Sequence, residues 1–240
     1  MIEYLAETGS TNADLLERVR QGERVSEGNW LVADRQLAGK GRQGRTWFDG
    51  AGNFMGSTIV EVREADPSPA SLALVAGIAV YETVVSLVSE PGVIALKWPN
   101  DVLMRGAKLA GILLEREGDA IIVGIGVNLG KAPDLPDRET IALSAMGPAP
   151  DRDQFADLLA RQLDTELDRW RTFGLPPLIR RWVLAAHPQG TQLRVQPPGE
   201  DPIHGTFAGL DDSGALQLRL PDGEVKVIHA GDVLLAREEG

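Results

Sequence analysis

The chain has 240 residues and is acidic, with 24 lysine and arginine residues against 35 aspartate and glutamate residues and a formal charge of −11. This charge argues against a non-specific binder of nucleic acid or of anionic membranes. The absence of cysteine excludes disulfide scaffolds, thiolate metal sites and cysteine nucleophiles. The opening residues lack a signal-peptide pattern, and the longest apolar stretch, 72–80, is too short to cross a bilayer. We therefore expect a soluble, cytoplasmic protein.

The first 188 residues alternate predicted strands with predicted helices. A first helix, capped by Ser10 or Thr11, ends before Gly22. Period-two alternation and short apolar runs predict the strands, and apolar residues three and four apart predict the later helices. The strands are predicted at 2–6, 30–33, 54–62, 93–97, 102–104, 108–116 and 120–127, and the later helices at 69–89, 155–170 and 178–186. The proline-rich stretch 133–150 is predicted to be a surface connection.

The last fifty residues show a different pattern, with short strands separated by turns. The strands are predicted at 192–195, 205–210, 215–220, 224–229 and 233–235. Five strands in so short a length predict a small barrel. The sequence therefore predicts an α+β protein, with one domain at 1–188 and a small β-barrel at 189–240.

A glycine-rich loop between the second and third strands carries an unusual density of positive charge. Five glycines between Gly39 and Gly52 exclude a regular element there. Arg35, Lys40, Arg42 and Arg45 place four cations within eleven residues. Glycines let a backbone approach a ligand, and arginine matches carboxylate or phosphate oxygens. A flexible surface loop with incidental charge is the alternative, because the string lacks the ending of a P-loop and the context of a Rossmann fold.

Five motifs in order decide between these readings. They are TGSTN at 8–12, QLAGKGRQGRTW at 36–47, KWPND at 97–101, KLAG at 108–111 and GIGVN at 124–128. Together they closely resemble the biotin protein ligases over roughly residues 2–130, and 205–220 with 231–233 look like the small SH3-like barrel of that family. The resemblance implies a class II synthetase-like catalytic domain with a mixed sheet and packed helices, followed by that barrel.

The resemblance also implies a two-step reaction. Biotin protein ligases join the biotin carboxylate to the α-phosphate of ATP, release pyrophosphate, and pass biotin to a lysine of an acceptor. The acceptor implied is the biotin carboxyl carrier domain of acetyl-CoA carboxylase. Repulsion between the two anions is the main obstacle, and fixed cations offset it. Lys108 and Arg42 match the catalytic positions of the family. The alternative interpretation of Lys108 is an ordinary exposed lysine at the start of a strand.

Binding residues are carried over from the same motifs. The implied biotin contacts are Ser10, Thr11, Asn12, Gln36, Gly39, Lys40, Gly41, Arg42, Lys108 and Gly111, and the implied ATP contacts are Arg42, Arg45, Trp47, Lys108 and Asn128. Neutral hydrogen-bonding groups suit the ureido ring of biotin, because an unpaired buried polar group costs about 1–3 kcal/mol. Ser10 and Thr11 have a simpler alternative role as helix caps. The alternative role of Trp47 and Trp98 is to anchor the core or a loop.

More than one role is open for Asp101 and for Lys97. Asp101 matches a site for Mg²⁺, held through water, but orienting Lys108 or capping a turn are equally open roles. Lys97 is open as a surface neighbour of the site. Arg237 is offset from Gly231, which makes its match to a phosphate-contacting residue doubtful.

The glycine-rich loop departs from the family pattern at two positions, and it is predicted to become ordered when ligand binds. Lys40 and Gln43 stand where many members have arginine, which removes forked donors but leaves Arg42 and Arg45. Because biotinyl-adenylate hydrolyses easily, we expect residues 39–45 to be poorly ordered without ligand and to close over it.

Competing functions remain at this point. A lipoate or octanoate ligase shares the catalytic fold, but its arginine-rich, triple-glycine motif ending in His-Asp is not found in this sequence. A non-catalytic binding protein is disfavoured by the intact Lys108 and Arg42. The first motif begins at Thr8, so we expect a monofunctional ligase with no DNA-binding domain. Relatives commonly dimerise through a sheet edge, and no feature of the sequence decides whether this chain forms a homodimer.

Overall fold

A seven-stranded mixed sheet forms the centre of the larger part of the molecule. The computed structural model describes residues 1–136 and 138–235. The strands are β1 (Ile2–Leu5), β2 (Trp30–Ala33), β3 (Phe54–Glu61), β4 (Ile94–Lys97), β5 (Asp101–Met104), β6 (Ala107–Glu117) and β7 (Ala120–Val127). Their order is β1-β2-β3-β7-β6-β5-β4. β1 pairs with β2 in parallel, and the remaining pairs are antiparallel.

Four helices cover this sheet, namely α1 (Thr11–Arg20), α2 (Leu72–Val85), α3 (Arg152–Phe173) and α4 (Leu175–Ala185). Period-two alternation divides the strand residues between two faces. On one face Ile59 and Ile122 pack with Leu15 and Leu16 of α1. The other face packs against α2, α3 and α4 in the large core. Because α1 is short, it covers only part of its face, and the glycine-rich loop lies over another part.

The second helix is shorter than the sequence predicts. Pro69–Ser71 form a 3₁₀ turn before it, and the α-helix ends at Val85 rather than at residue 89. The Ser86 hydroxyl donates to the Thr83 carbonyl at 2.7 Å, and such local bonding competes with a further helical turn. The connection at 133–150 is not purely a surface segment either. The Lys108 amide donates to the Glu139 carbonyl at 2.9 Å, which places this segment against β6.

A second, all-antiparallel sheet follows α4. Its strands are β8 (Gln192–Gln196), β9 (Ile203–Leu210), β10 (Leu216–Arg219), β11 (Val225–Ile228) and β12 (Asp232–Leu235), in the order β11-β10-β9-β8-β12. All five predicted strands are present, and the predicted α+β class is confirmed. β11 and β12 are the two edges of this sheet within the described residues, so closure into a barrel stays a prediction. The division at residue 188 also stays a prediction.

The two sheets share one apolar core. Leu193 and Phe207 of the second sheet belong to the cluster that contains α2 and α3. Trp98 is buried, and its Nε1 donates to the Gly214 carbonyl at 3.1 Å, which confirms its interpretation as an anchor. The second sheet is therefore held against the end of β4. Within the described residues no helix has both the length and the apolar character needed to cross a membrane.

Candidate active site

One large cavity of about 910 Å³ lies where the glycine-rich loop, the sheet face beside α1 and the second sheet meet. Nearly all the residues selected from the sequence line it. These are Ser10, Thr11, Asn12, Gln36, Lys40, Gly41, Arg42, Arg45, Trp47, Asp101, Lys108, Gly111 and Asn128. Gly39 is not among the lining residues. Its carbonyl accepts a bond from the Trp47 amide at 2.9 Å, and its contact with biotin stays a prediction. Arg237 lies outside the described residues.

Glycines on two neighbouring strands form the floor of the cavity. A methyl group at Gly124 would lie 2.2 Å from Asn12 Oδ1, and one at Gly126 would lie 2.2 Å from Trp47 Cε2. At Gly111 it would lie 3.0 Å from Trp47 Cζ3. Only glycine permits such close approach within a strand. The spacing of Gly124 and Gly126 signals one face of a strand, but the sequence did not show which side chains lie on that face.

Neutral polar groups form one end of the cavity, here called the neutral end (Thr11, Asn12, Gln36 and Ser57). Gln36 Oε1 accepts from the Thr11 amide at 2.7 Å and lies 3.1 Å from Thr11 Oγ1. Thr11 Oγ1 is 2.6 Å from Ser57 Oγ, which donates to Asn12 Oδ1 at 2.6 Å. All four residues are buried. Sequence reasoning missed Ser57, because a serine inside a strand carries no signal of its own.

Ser10 combines both of its predicted roles in one position. It is the N-cap of α1, and its Oγ accepts from the Ala13 amide at 3.5 Å. Its side chain also lines the cavity. The helix start therefore carries Ser10, Thr11 and Asn12 to the neutral end as a unit.

Charged groups form the opposite end, here called the charged end (Arg42, Lys97, Asp101 and Lys108). Lys108 Nζ lies 2.6 Å from Asp101 Oδ1, and Lys97 Nζ lies 2.8 Å from Asp101 Oδ2. Arg42 Nη1 donates to Asn100 Oδ1 at 3.2 Å, beside this group. The loop and β6 thus bring their cations to the same place.

The burial of these side chains corrects two of the alternative interpretations, those for Lys97 and Lys108. The side chains of Lys97 and Lys108 are only 15% and 18% exposed. Lys97 is therefore not a surface neighbour, and Lys108 is not an ordinary exposed lysine. Both are held in place by a carboxylate that is itself buried.

Burial and charge shift the protonation of this group in opposite directions. Burial alone would raise the pKa of Asp101, but the adjacent ammonium groups of Lys97 and Lys108 hold that pKa well below its usual range. Burial lowers the pKa of Lys108, and Asp101 opposes this shift only in part. Burial also lowers the pKa of Arg42. Asp101 is therefore ionised at neutral pH and serves as the fixed counter-ion of the two lysines.

The glycine-rich loop folds back on itself between these two ends. The Gly41 amide donates to the Arg45 carbonyl at 2.7 Å, and Lys40 bridges to Thr46. Gln43 turns the chain at φ 57°, in the left-handed region. Arg45 forms an ion pair with Asp232 of β12. The loop is thereby tied to the second sheet.

Trp47 and Asn128 lie along the cavity wall. Lys108 Nζ is 5.8 Å from the centre of the Trp47 ring. Trp47 Nε1 is buried and has no hydrogen-bond partner among the described residues. Asn128 Nδ2 donates to the Ile141 carbonyl at 3.2 Å, so it is already fixed by the 131–141 segment.

A protein-held magnesium ion does not fit at Asp101. Both carboxylate oxygens contact lysine ammonium groups. The described residues also contain no group of three or more histidine, aspartate or glutamate side chains arranged to hold a metal. These contacts fit the alternative in which Asp101 orients Lys108.

Comparison with known proteins places these features in a family. Residues 4–131 match the Biotin/lipoate A/B protein ligase family, and residues 192–235 match the Biotin protein ligase C terminal domain. The biotin–[acetyl-CoA-carboxylase] ligase of Paracoccus denitrificans is 39% identical over 240 residues, covering 95% of this chain and 98% of that protein. The enzyme of the same name from Mycobacterium tuberculosis is 38% identical, covering 98% of this chain and 89% of that protein.

A solved structure gives the same relation in three dimensions. The biotin protein ligase of Aquifex aeolicus in complex with biotin and ATP superposes with a TM-score of 0.86 at 28% identity, covering 99% of each chain. The family match, the curated relatives and the shared fold agree over nearly the whole chain. The chain therefore belongs to the biotin/lipoate A/B protein ligase family.

Proposed function

We propose that this protein is a biotin protein ligase, which activates biotin with ATP and transfers it to a lysine of a biotin carboxyl carrier domain. One observation carries the proposal: Arg42 and Lys108, which are far apart in sequence, lie at one end of a cavity whose other end is neutral and hydrogen-bonding. Relatives at 38–39% identity are named biotin–[acetyl-CoA-carboxylase] ligases, which supports that carboxylase as the source of the acceptor.

The neutral end suits the ureido ring of biotin. The ring offers two N–H donors and one carbonyl acceptor, and Thr11, Gln36 and Ser57 offer the complementary groups without a net charge. Ligand binding here exchanges internal hydrogen bonds for bonds to biotin. The exchange favours a molecule that satisfies every buried group, because each one left unpaired costs about 1–3 kcal/mol.

The charged end suits the adenylation step. An oxygen of the biotin carboxylate attacks the α-phosphorus of ATP. The bond between that phosphorus and the oxygen bridging the α- and β-phosphates breaks, and pyrophosphate leaves with the electron pair. Lys108 and Arg42 offset the repulsion between the two anions, and each fixed charge lowers the barrier by on the order of 3 kcal/mol. Asp101 holds the Lys108 ammonium in place before substrates arrive. Mg²⁺ enters the proposal only as a counter-ion carried by ATP.

The second step transfers biotin to the acceptor. The neutral amine of the acceptor lysine attacks the carbonyl of biotinyl-5′-AMP, an amide forms, AMP leaves and the amine loses one proton. Until then the anhydride needs shielding from water. In this proposal the intermediate and its nucleotide are covered by residues that line the cavity, namely Lys40, Gly41, Arg42, Arg45, Trp47 and Asn128. The 38–39% identity to biotin ligases disfavours a lipoate ligase.

The proposal extends to location and assembly. We infer a cytoplasmic enzyme. We also infer that it has no DNA partner, because a net charge of −11 opposes binding to phosphates. Retardation of DNA in the presence of biotin and ATP would contradict this. Sedimentation with and without biotin tests assembly as a homodimer, because it measures the mass of the assembly: twice the mass of one chain would support the homodimer, and the mass of one chain would contradict it.

The deciding experiment follows labelled biotin into a purified biotin carboxyl carrier domain. We expect ATP-dependent transfer by the unaltered protein, biotin-dependent release of pyrophosphate, and no competition by lipoate. Lys108→Ala should slow adenylation by about a hundredfold or more, the scale of a lost charge contact in a transition state.

Lys226 provides the matched control. It lies on the exposed edge strand β11, with a side chain 45% exposed, and Lys226→Ala should leave the rate unchanged. Pyrophosphate release that does not depend on biotin, or an undiminished rate in Lys108→Ala, would contradict the proposed function.

A further inference from the structure

Three cations near the active site contact three consecutive residues at the start of β12. Arg42 donates to the carbonyl of residue 231 at 3.4 Å, Arg45 pairs with the carboxylate of residue 232, and Lys97 Nζ donates to the carbonyl of residue 233 at 3.0 Å. Arg42 and Arg45 belong to the glycine-rich loop. Lys97 lies on β4, lines the same cavity and has no role in the mechanism above.

Lys97 stands opposite Asp101 in the β4–β5 pair. Its Nζ contacts Asp101 Oδ2 at 2.8 Å while Lys108 Nζ contacts Oδ1 at 2.6 Å. One buried carboxylate is thus shared by two ammonium groups. The second contact of Lys97, to the Val233 carbonyl, fixes this arrangement to the second sheet.

Sharing the carboxylate has an electrostatic consequence. If Asp101 faced Lys108 alone, both carboxylate oxygens could contact the Lys108 ammonium group. The positive charge of Lys108 would then be largely neutralised inside the protein. Because Lys97 occupies Oδ2, Lys108 keeps one close anionic partner and a net positive surrounding. That surrounding is what the substrate carboxylate and phosphate require.

We propose that Lys97 is a positioning residue for adenylation: it holds one oxygen of Asp101 and a carbonyl of the second sheet, and so keeps Lys108 in place and leaves its positive charge only partly balanced by Asp101. This inference rests on the proposed function. It also gives the second sheet a specific contact through which it acts on the reacting end of the cavity.

Two substitutions separate charge from packing. Lys97→Gln retains an N–H donor for Asp101 and Val233 but removes the charge, and Lys97→Arg retains the charge. We expect Lys97→Gln to lower kcat for biotinyl-adenylate formation by about tenfold or more, and Lys97→Arg to stay within about threefold of the unaltered protein. Biotin binding measured by calorimetry without ATP should change much less than kcat in both, because the neutral end, where the ureido ring is proposed to bind, does not contact Lys97.

The pH profile gives a readout that a purely structural role would not move. The charged groups acting on Lys108 are Asp101, Lys97 and Arg138, with Arg42 close to Asp101. Lys97 helps to lower the pKa of Lys108. The ammonium form is the active one, so the rate falls as pH rises through that pKa. Removing the charge of Lys97 should therefore move the alkaline limb to higher pH in Lys97→Gln and leave it in place in Lys97→Arg.

The outcomes distinguish this inference from the proposed function. If the unaltered protein releases no pyrophosphate on addition of biotin, the proposed function itself is wrong. If it does, and Lys97→Gln matches it in kcat and in its alkaline limb, only the role of Lys97 is wrong. A Lys97→Gln variant that loses biotin binding together with kcat would show a general packing role and would also overturn the inference. Lys226→Gln serves as the control for removing a lysine charge elsewhere.

Discussion

The two ends of the cavity solve the problem of buried polarity in different ways. At the neutral end, Thr11, Gln36 and Ser57 bond to one another and leave no net charge. At the charged end, the single carboxylate of Asp101 faces two lysines, so positive charge is in excess. The first arrangement selects a ligand by the bonds it can replace, and the second attracts anions in a protein that is acidic as a whole. The difference indicates that recognition and chemistry are divided between the two ends.

The largest further effect should come from the glycine floor, which supports both ends. Gly126→Ala places a methyl group 2.2 Å from the Trp47 ring and forces the ring into the cavity. We expect kcat/KM for both biotin and ATP to fall by on the order of a hundredfold, the scale seen when reacting groups are displaced by about an ångström. Steady-state kinetics of pyrophosphate release measure this.

Gly92→Ala is the matched control for that substitution. A methyl group at Gly92 meets nothing within 4 Å, and the residue lies in a turn before β4. Its kinetics should equal those of the unaltered protein. Normal KM values in Gly126→Ala would mean that Trp47 does not lie where both ligands bind.

A smaller effect, confined to one end, is expected for Thr11→Val. The substitution keeps the shape of the side chain but removes the hydroxyl shared with Gln36 and Ser57. The loss of about 1–3 kcal/mol predicts a dissociation constant for biotin raised by about 5-fold to 150-fold, with the KM for ATP unchanged. Calorimetry with biotin alone measures the first quantity.

Thr165→Val provides the comparison for this change, because Thr165 is an exposed residue of α3. It should bind biotin normally. An equal rise in the KM for ATP in Thr11→Val would break the proposed division between the two ends.

The smallest change is expected in the loop that joins the ends. Residues 39–45 are held by contacts with Asn100 and with residues 231–232, and the side chains that make them are partly exposed. Biotin and ATP together should slow hydrogen exchange of the loop amides by about tenfold or more, since ordering removes local opening. Full protection of those amides in the empty protein would refute the expected closing.

Much of the fold could be read from short-range patterns. The strands at 30–33 and 120–127 have the predicted limits, because each is an uninterrupted apolar run with turn residues on both sides. The second helix was predicted to be too long, because Ser86, which ends it, bonds to the Thr83 carbonyl and leaves the apolar pattern intact. Barrel closure depends on how edge strands meet, which strand patterns do not encode.

The candidate site was predicted less completely than the fold. Motifs led to Lys108 and Arg42, and both line the cavity. Ser57 was missed, because a serine inside a strand carries no signal of its own. Lys97 belongs to the KWPND motif but was left as a surface neighbour, because its contact with the second sheet is not visible in the sequence. The Lys97–Val233 contact joins residues 136 positions apart.

The sequence by itself determined the order of the elements and the chemical types at the site, because periodicity and motif spacing are local properties of the chain. The tertiary structure alone decided which groups share a partner: Asp101 between two lysines, Trp47 on a glycine floor, and residues 231–233 against three cations. The physical reason is that sheet order and the docking of the second sheet set these distances. Both depend on contacts between segments that no local pattern connects.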